Sequence, residues 1–285
     1  MPERADAHIH LFEGGFGGSF AGRPGVRLDE PACYASLAGD YGVSRALVIG
    51  YEGEPWSAGN NDWLARQVEQ YKWICPVAYA DPHHPPSIAE LERRRGQGFV
   101  GISLYIFDAE SRGALARLPD DLWDWLVERR WLISANSQGE YWAAWGPILE
   151  RHGELRLLVS HLGLPPKASR PPSVAQAKEG LKEVLALAGF PGPRVKLSGF
   201  YALSEPGYDY PHAAAWPYVE ALLGAFGAQR LLWASDFSPC LNLLTFPQTF
   251  GLFAHMPFLD EASRRAIEGE NLLALLGEVG RSPET

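Results

Sequence analysis

The chain has little of what staples small secreted folds together or grips anionic polymers. Cysteine occurs only at positions 33, 75 and 240, with no CxxC, which excludes a disulfide framework or a thiolate metal cluster. Basic residues are outnumbered, 25 Lys+Arg against 34 Asp+Glu, for a formal net charge of −9. The densest basic run, Arg93-Arg94-Arg95, is one turn of a solvated helix. Nucleic acid and anionic membrane both call for a basic face, so neither is an expected partner. Long hydrophobic runs are missing as well. The longest stretch free of charged side chains, 237–259, is broken by Pro239, Pro247 and Pro257 and carries Asn242, Gln248 and His255, so it is no membrane span. The opening Met-Pro-Glu-Arg-Ala-Asp has no apolar signal core. A reduced, cytoplasmic protein is the expectation. No GxGxxG or GxxxxGK[ST] follows a strand-like run, so nothing marks a nucleotide site.

What is present is ordinary globular material, 46% hydrophobic and 21% charged over 285 residues. A chain of this size buries about three quarters of its unfolded surface and needs no staple. Short apolar runs read as strands over 4–9, 46–49, 74–79, 100–106, 131–135, 155–160, 195–197 and 231–234. After each comes a helical pattern: 31–41, 61–70, 87–95, 118–130, 142–152, 173–188, 213–226 and 260–276. Strict βα alternation specifies a parallel sheet, and eight units in under 300 residues fit a single-domain (β/α)8 TIM barrel. The connections after the first, second, fourth, seventh and eighth strands are long. They would share the C-terminal face, where barrel enzymes keep their sites.

Three short segments carry candidate chemistry. In Asp6-Ala7-His8-Ile9-His10, the strand period of two turns Asp6, His8 and His10 to one face and Ala7 and Ile9 to the other. Paired imidazoles at a strand end facing into a barrel suit a metal; hydrogen-bonded core histidines are the alternative. In Val159-Ser160-His161-Leu162-Gly163, an apolar strand delivers His161 to its C-terminal end, as ligand, acid/base or electrophile. In Trp233-Ala234-Ser235-Asp236, Asp236 follows the eighth strand, which adjoins the first in a closed barrel. A carboxylate there can bind a metal and take a proton from attacking water.

Together these segments resemble the amidohydrolase superfamily, in its amidohydrolase-related branch. The likeness runs nearly the length of the chain through DAHIHLF, RLLVSHLGLP, VKLSGFYAL, FGAQRLLWASDFSP and IEGENLLALL. It implies a barrel with His8, His10 and Asp236 at the metal or catalytic position and His161 beside the substrate. That branch holds metal-dependent hydrolases, lactonases and decarboxylases. Metal-binding members usually add a histidine at the end of the fifth strand, where this chain reads Ser134-Ala135-Asn136-Ser137-Gln138. Asn136 and Gln138 can donate to a carbonyl but are poor zinc ligands. The fourth strand ends without a lysine that could be carboxylated to bridge two metals. Two versions of the site stay open. In one, a single divalent ion, zinc or manganese, is held by His8, His10 and Asp236. In the other no metal is used, and the imidazoles and Asn136 polarise the carbonyl.

Either version expects a hydrolase of a lactone or related ester, with Asp236 as base. The substrate is a small molecule with a ring-shaped or partly apolar body. Its expected contacts include Asn136, Tyr105, Phe200, Tyr201 and His212, among further aromatic candidates Phe12, Trp142, Tyr208, Tyr210, Trp216 and Phe237. Arg23, Arg27 and Arg112 are candidates to clamp a carboxylate. The run Gly14-Gly15-Phe16-Gly17-Gly18 reads either as a lid or as ordered turns, and Cys240 as structural. A metal-dependent decarboxylase on the same barrel and a binding protein without catalysis are the rival readings.

Overall fold

A computed structural model describes residues 3–16 and 29–280. The strands are β1 (Arg4–Ile9), β2 (Val43–Ile49), β3 (Ile74–Tyr79), β4 (Gly101–Ile106), β5 (Leu132–Ser137), β6 (Arg156–Val159), β7 (Arg194–Leu197) and β8 (Leu231–Trp233). They form one sheet in the order β1 to β8, and every neighbouring pair is parallel. The ring closes just past the end of β8. The His10 amide donates to the Phe237 carbonyl at 2.6 Å, and the Asp236 amide to the His8 carbonyl at 2.9 Å. The structure is the expected (β/α)8 barrel, with helices between successive strands.

The strands are short and apolar on both faces because one face meets helices and the other fills the barrel. Ala5 and Ala7 of β1 cluster with Leu272 and Leu275 of the helix Asn271–Glu278. The same apolar cluster holds Leu47, Ile49, Cys75, Val77, Leu132, Leu158 and Leu232. One step further along β5 and β6 on the same face, leucine gives way to buried Ser134 and Ser160. The barrel is thus apolar at its base and polar towards its C-terminal end.

The helices start at sequence-coded caps. Asp29 accepts from the Ala32 amide ahead of Glu30–Tyr41, and Asp108 with Ser111 and Ser173 with Gln176 form capping boxes. Several expected helices are broken. The pattern over 173–188 becomes Val174–Gly180, Lys182–Ala186 and Leu187–Gly189, whereas that over 118–130 is one helix, Asp120–Glu128, with a helix Ala109–Ala116 inside the connection expected before it. The pattern over 260–276 contains a π turn at Ala266–Glu270, where Gly269 lies against β1. A Cβ on Gly269 would come within 2.5 Å of the Glu3 carbonyl oxygen. Among the described residues no helix is long and apolar enough to cross a membrane.

Buried Glu30 ties the first loop to the last. Its carboxylate accepts from the Phe12 and Phe16 amides, each at 2.9 Å, and from the Ser238 hydroxyl at 2.6 Å. Phe12 and Phe16 are thereby fixed over the barrel mouth. Gly17 and Gly18 of the glycine run, with Arg23 and Arg27, lie outside the described residues.

Candidate active site

A cavity of about 560 Å³ opens at the C-terminal end of the barrel. Its floor carries His10, Tyr105, Tyr201 and Asp236; its walls are Phe12, Phe16, Tyr51, Trp56, Tyr79 and Phe107. Asp236 and Asp108 are the only charged side chains among its described lining residues. Trp56 packs edge-on to both Phe12 and Phe16, with ring centres 4.7 and 5.7 Å away.

Asp236 sits in left-handed backbone (φ 60°), a conformation that Asp tolerates better than most residues. Its Oδ2 accepts from the Tyr201 hydroxyl at 2.5 Å, and its Oδ1 lies 3.9 Å from His8 Nε2. Burial and the Asp236 charge hold the Tyr201 phenol far above its usual range, so it stays a donor. Tyr105 and Asn136 are register partners across β4 and β5. The buried Tyr105 hydroxyl and Asn136 Oδ1 find no hydrogen-bond partner among the described residues. Burial also keeps Tyr105 protonated. An unpartnered O–H in a cavity wall is ready to donate to a ligand oxygen.

Beneath the floor runs a chain of hydrogen bonds. Lys196, wholly buried on β7, places Nζ 2.6 Å from Ser134 Oγ and 3.2 Å from His8 Nδ1. His8 Nε2 lies 3.0 Å from His10 Nε2, and His10 Nδ1 lies 2.8 Å from the Ile49 carbonyl oxygen. A carbonyl only accepts, so His10 carries its proton on Nδ1. Its Nε2 therefore accepts, which puts the His8 proton on Nε2 and leaves His8 Nδ1 to accept from Lys196. Burial pushes His8 well below its ordinary range, with the Lys196 charge adding to it, and lowers His10 and His161 as well. Burial likewise pulls Lys196 down to about 7, against the opposing charges of Asp236 and Asp6.

His161 leaves β6 in left-handed backbone (φ 51°), and its Nδ1 bonds Ser198 Oγ at 2.9 Å. Its ring lies 4.7 Å from that of His8. Gly199 (φ +68°) makes the room, since a Cβ there would stand 3.0 Å from His161 Nδ1. The β1 ladder shifts register between Asp6 and Ile9, and Asp6, expected on the face of the two histidines, is structural. It accepts from the His8 and Ser235 amides and from the Tyr34 hydroxyl, and burial raises it to about 6.

The structure thus brings together His8, His10, His161, Asp236, Tyr105, Asn136 and Tyr201. Phe200 and His212 do not join them. Both are buried, neither lines the cavity, and their rings stack 6.3 Å apart. Trp142, Trp216, Tyr208 and Tyr210 are also away from the cavity lining, as is Arg112, which lies 4.0 Å from Glu140. Buried Cys240 does not line the cavity, although its amide donates to the Asp236 carbonyl. Lys196 and Ser198 join the site without having been expected in it. Their signal was the strand period: Lys196 and Ser198 share the inward face of a segment whose Val195 and Leu197 face the helices.

His8, His161 and Asp236 can each offer one donor atom within 4.8 Å of the others, a spacing that suits a metal ion. The proton arrangement does not suit one. A ligating His8 Nε2 must lose its proton, which moves it to Nδ1, against Lys196 at 3.2 Å. As arranged, the residues do not fit a resident metal, and no step below is routed through one.

The sequence pattern of the amidohydrolase family matches residues 5–277. An L-fucono-1,5-lactonase from Burkholderia ambifaria is 33% identical over 87 residues, which span 30% of this chain and 28% of that protein. The fold is similar to that of a Burkholderia multivorans amidohydrolase solved with bound HEPES, at TM-score 0.80 and 18% identity over 97% of this chain and 99% of that one. The same protein has also been solved with zinc, at TM-score 0.77. A probable 2-pyrone-4,6-dicarboxylic acid hydrolase from Acinetobacter baumannii, solved with citric acid, matches at TM-score 0.72 and 17% identity, over 97% and 100% of the two chains. With a pattern match across nearly its whole length, the chain belongs to the amidohydrolase family.

Proposed function

We propose that the protein hydrolyses a lactone or related ester, with Asp236 as general base. The observation that carries this reading is the pairing of Asp236 with an unpartnered Tyr105 hydroxyl in one cavity. Asp236 Oδ1 is free to take a proton from water, while Oδ2 is anchored by Tyr201. The water oxygen adds to the substrate carbonyl. Tyr105 then donates to the oxygen on which negative charge develops, the contribution of an oxyanion donor. The ester C–O bond breaks and the leaving alkoxide takes a proton. The proton that Asp236 took is passed on to it by His161, which is buried beside His8, oriented by Ser198 and within 4.8 Å of Asp236.

The imidazole pair takes a different part from polarising the carbonyl. With its proton on Nδ1 and its Nε2 lone pair taken up by His8, His10 offers the cavity no N–H. The aromatic walls favour a ring-shaped or partly apolar substrate. The named lactonase and hydrolase among the similar proteins agree with this substrate class. Chelator-treated protein assayed on lactones, esters, amides and unsaturated carboxylic acids tests the reading. Acid release from a lactone or ester is the expected result. Carbon dioxide release from a carboxylic acid, or saturable binding without turnover anywhere, contradicts it.

A further inference from the structure

The His8–His10 pair has metal-ligand spacing, yet it is locked into a hydrogen-bonded relay with Lys196 at one end and the Ile49 carbonyl at the other. We infer that Lys196 is a positioning residue that takes the place of a metal ion: by donating to His8 Nδ1 it fixes both imidazole tautomers and closes a latent divalent-metal site.

Four observations carry this. The two Nε2 atoms are 3.0 Å apart, close to the about 3.3 Å that separates two tetrahedral zinc ligands at about 2.0–2.1 Å each. His10 is already oriented as a ligating histidine would be, with Nδ1–H on a backbone carbonyl. His161 and Asp236 lie near enough to complete the set. What stands in the way is Lys196. In its ammonium form it has three donors and no acceptor, so a metal-bound His8, whose proton would sit on Nδ1, must first displace a proton from Lys196. The direction of the relay is also set from the far end by Ile49, so it does not depend on the charge that Lys196 bears. Ser134 holds Nζ in place at 2.6 Å.

Ser160 explains why removing Lys196 would open the site. Its hydroxyl lies 3.4 Å from His8 Nδ1 and can accept as well as donate. Without Lys196, His8 can give its Nδ1 proton to Ser160 and turn the Nε2 lone pair towards His10 and Asp236. A fixed positive charge beside the ligands is lost in the same change.

The test uses Lys196→Met, which keeps the length of the side chain and removes its donors. Chelator-treated wild type and variant are titrated with zinc alone and manganese alone by calorimetry. The variant is expected to bind one zinc at least about 10-fold more tightly than wild type, the low end of the range for a change in a ligand's hydrogen-bond partner. A smaller gain, no gain or a loss overturns the inference. Nitrogen-15 chemical shifts of the wild-type histidines give a second reading that needs no variant. They should show His8 protonated on Nε2 and His10 on Nδ1; His8 protonated on Nδ1 overturns the inference. Both readings are independent of catalysis, so they stand or fall apart from the proposed ester hydrolysis.

Discussion

The floor of the cavity is held by directional hydrogen bonds between strands, whereas its mouth is held by rings packed on loops. Lys196, His8, His10, Ser134, Ser198 and His161 come from or just beyond four strands and meet at 2.6 to 3.2 Å. Phe12, Phe16, Trp56 and Phe107 come from the loops after β1, β2 and β4, and Trp56 and Phe107 are 43% and 37% exposed. The floor therefore admits few substitutions, because a buried donor or acceptor left alone costs its full desolvation. The mouth has no such constraint, since stacking and apolar contact tolerate changes of shape. On this comparison chemistry belongs to the floor and substrate preference to the mouth.

The sharpest way to break the comparison is at Tyr105, which stands between the two. Tyr105→Phe keeps the ring in the wall and removes the O–H. It should lower kcat about 10²–10³-fold with little change in KM, as loss of an oxyanion donor does. A change in KM alone, in steady-state kinetics, would move Tyr105 from the floor to the mouth.

Gly199→Ala strains the floor without touching a polar atom. The new Cβ would meet His161 at 3.0 Å in left-handed backbone. A loss of about 1–3 kcal/mol in urea unfolding is expected, with a fall in activity. An unchanged denaturation midpoint would show that His161 has slack.

The floor should also make folding sensitive to acid. Burial depresses His8, His10, His161 and His212 in the folded state. Below about 6.5 these imidazoles take protons in the unfolded chain before the folded one, so stability falls as pH drops. Asp6, raised to about 6, and Glu30 and Glu268, also raised, work the other way, gaining protons first in the folded state. Four imidazoles outweigh three carboxyls. The urea midpoint should therefore be lower at pH 5.5 than at pH 7; an equal or higher midpoint would contradict the neutral relay.

The smallest effect is expected at the mouth. Trp56→Ala removes a half-exposed ring that packs on Phe12 and Phe16. About one kcal/mol of stacking is at stake, so KM should rise about fivefold while kcat holds. A drop in kcat would join mouth to floor.

The same division decides what the sequence revealed. All eight strands were legible, because a barrel strand is short, apolar and bounded by turns. His8, His10 and Asp236 followed from the period of two and from the adjacency of the last and first strands. Lys196 stood inside a quoted stretch yet received no role, since lysine usually reads as solvated; only its inward register marks it. Phe200 and His212 were expected at the substrate because the loop after β7 is rich in aromatic residues. That loop instead folds them against each other and Phe253, a long-range packing choice that no local pattern encodes. The helix Ala109–Ala116 was not expected, because its stretch read as part of a long connection. Nor was the π turn at Ala266–Glu270, because it answers to β1, far away in the chain.

The central claim is that one carboxylate at the cavity floor drives hydrolysis. Its most direct test is the ratio of kcat/KM for wild type and Asp236→Asn on the best lactone or ester, after chelation, with both proteins shown to be folded. The amide keeps the shape of the carboxylate but is no base, so a loss of at least about 10²–10⁴-fold is expected. Equal rates would contradict the account.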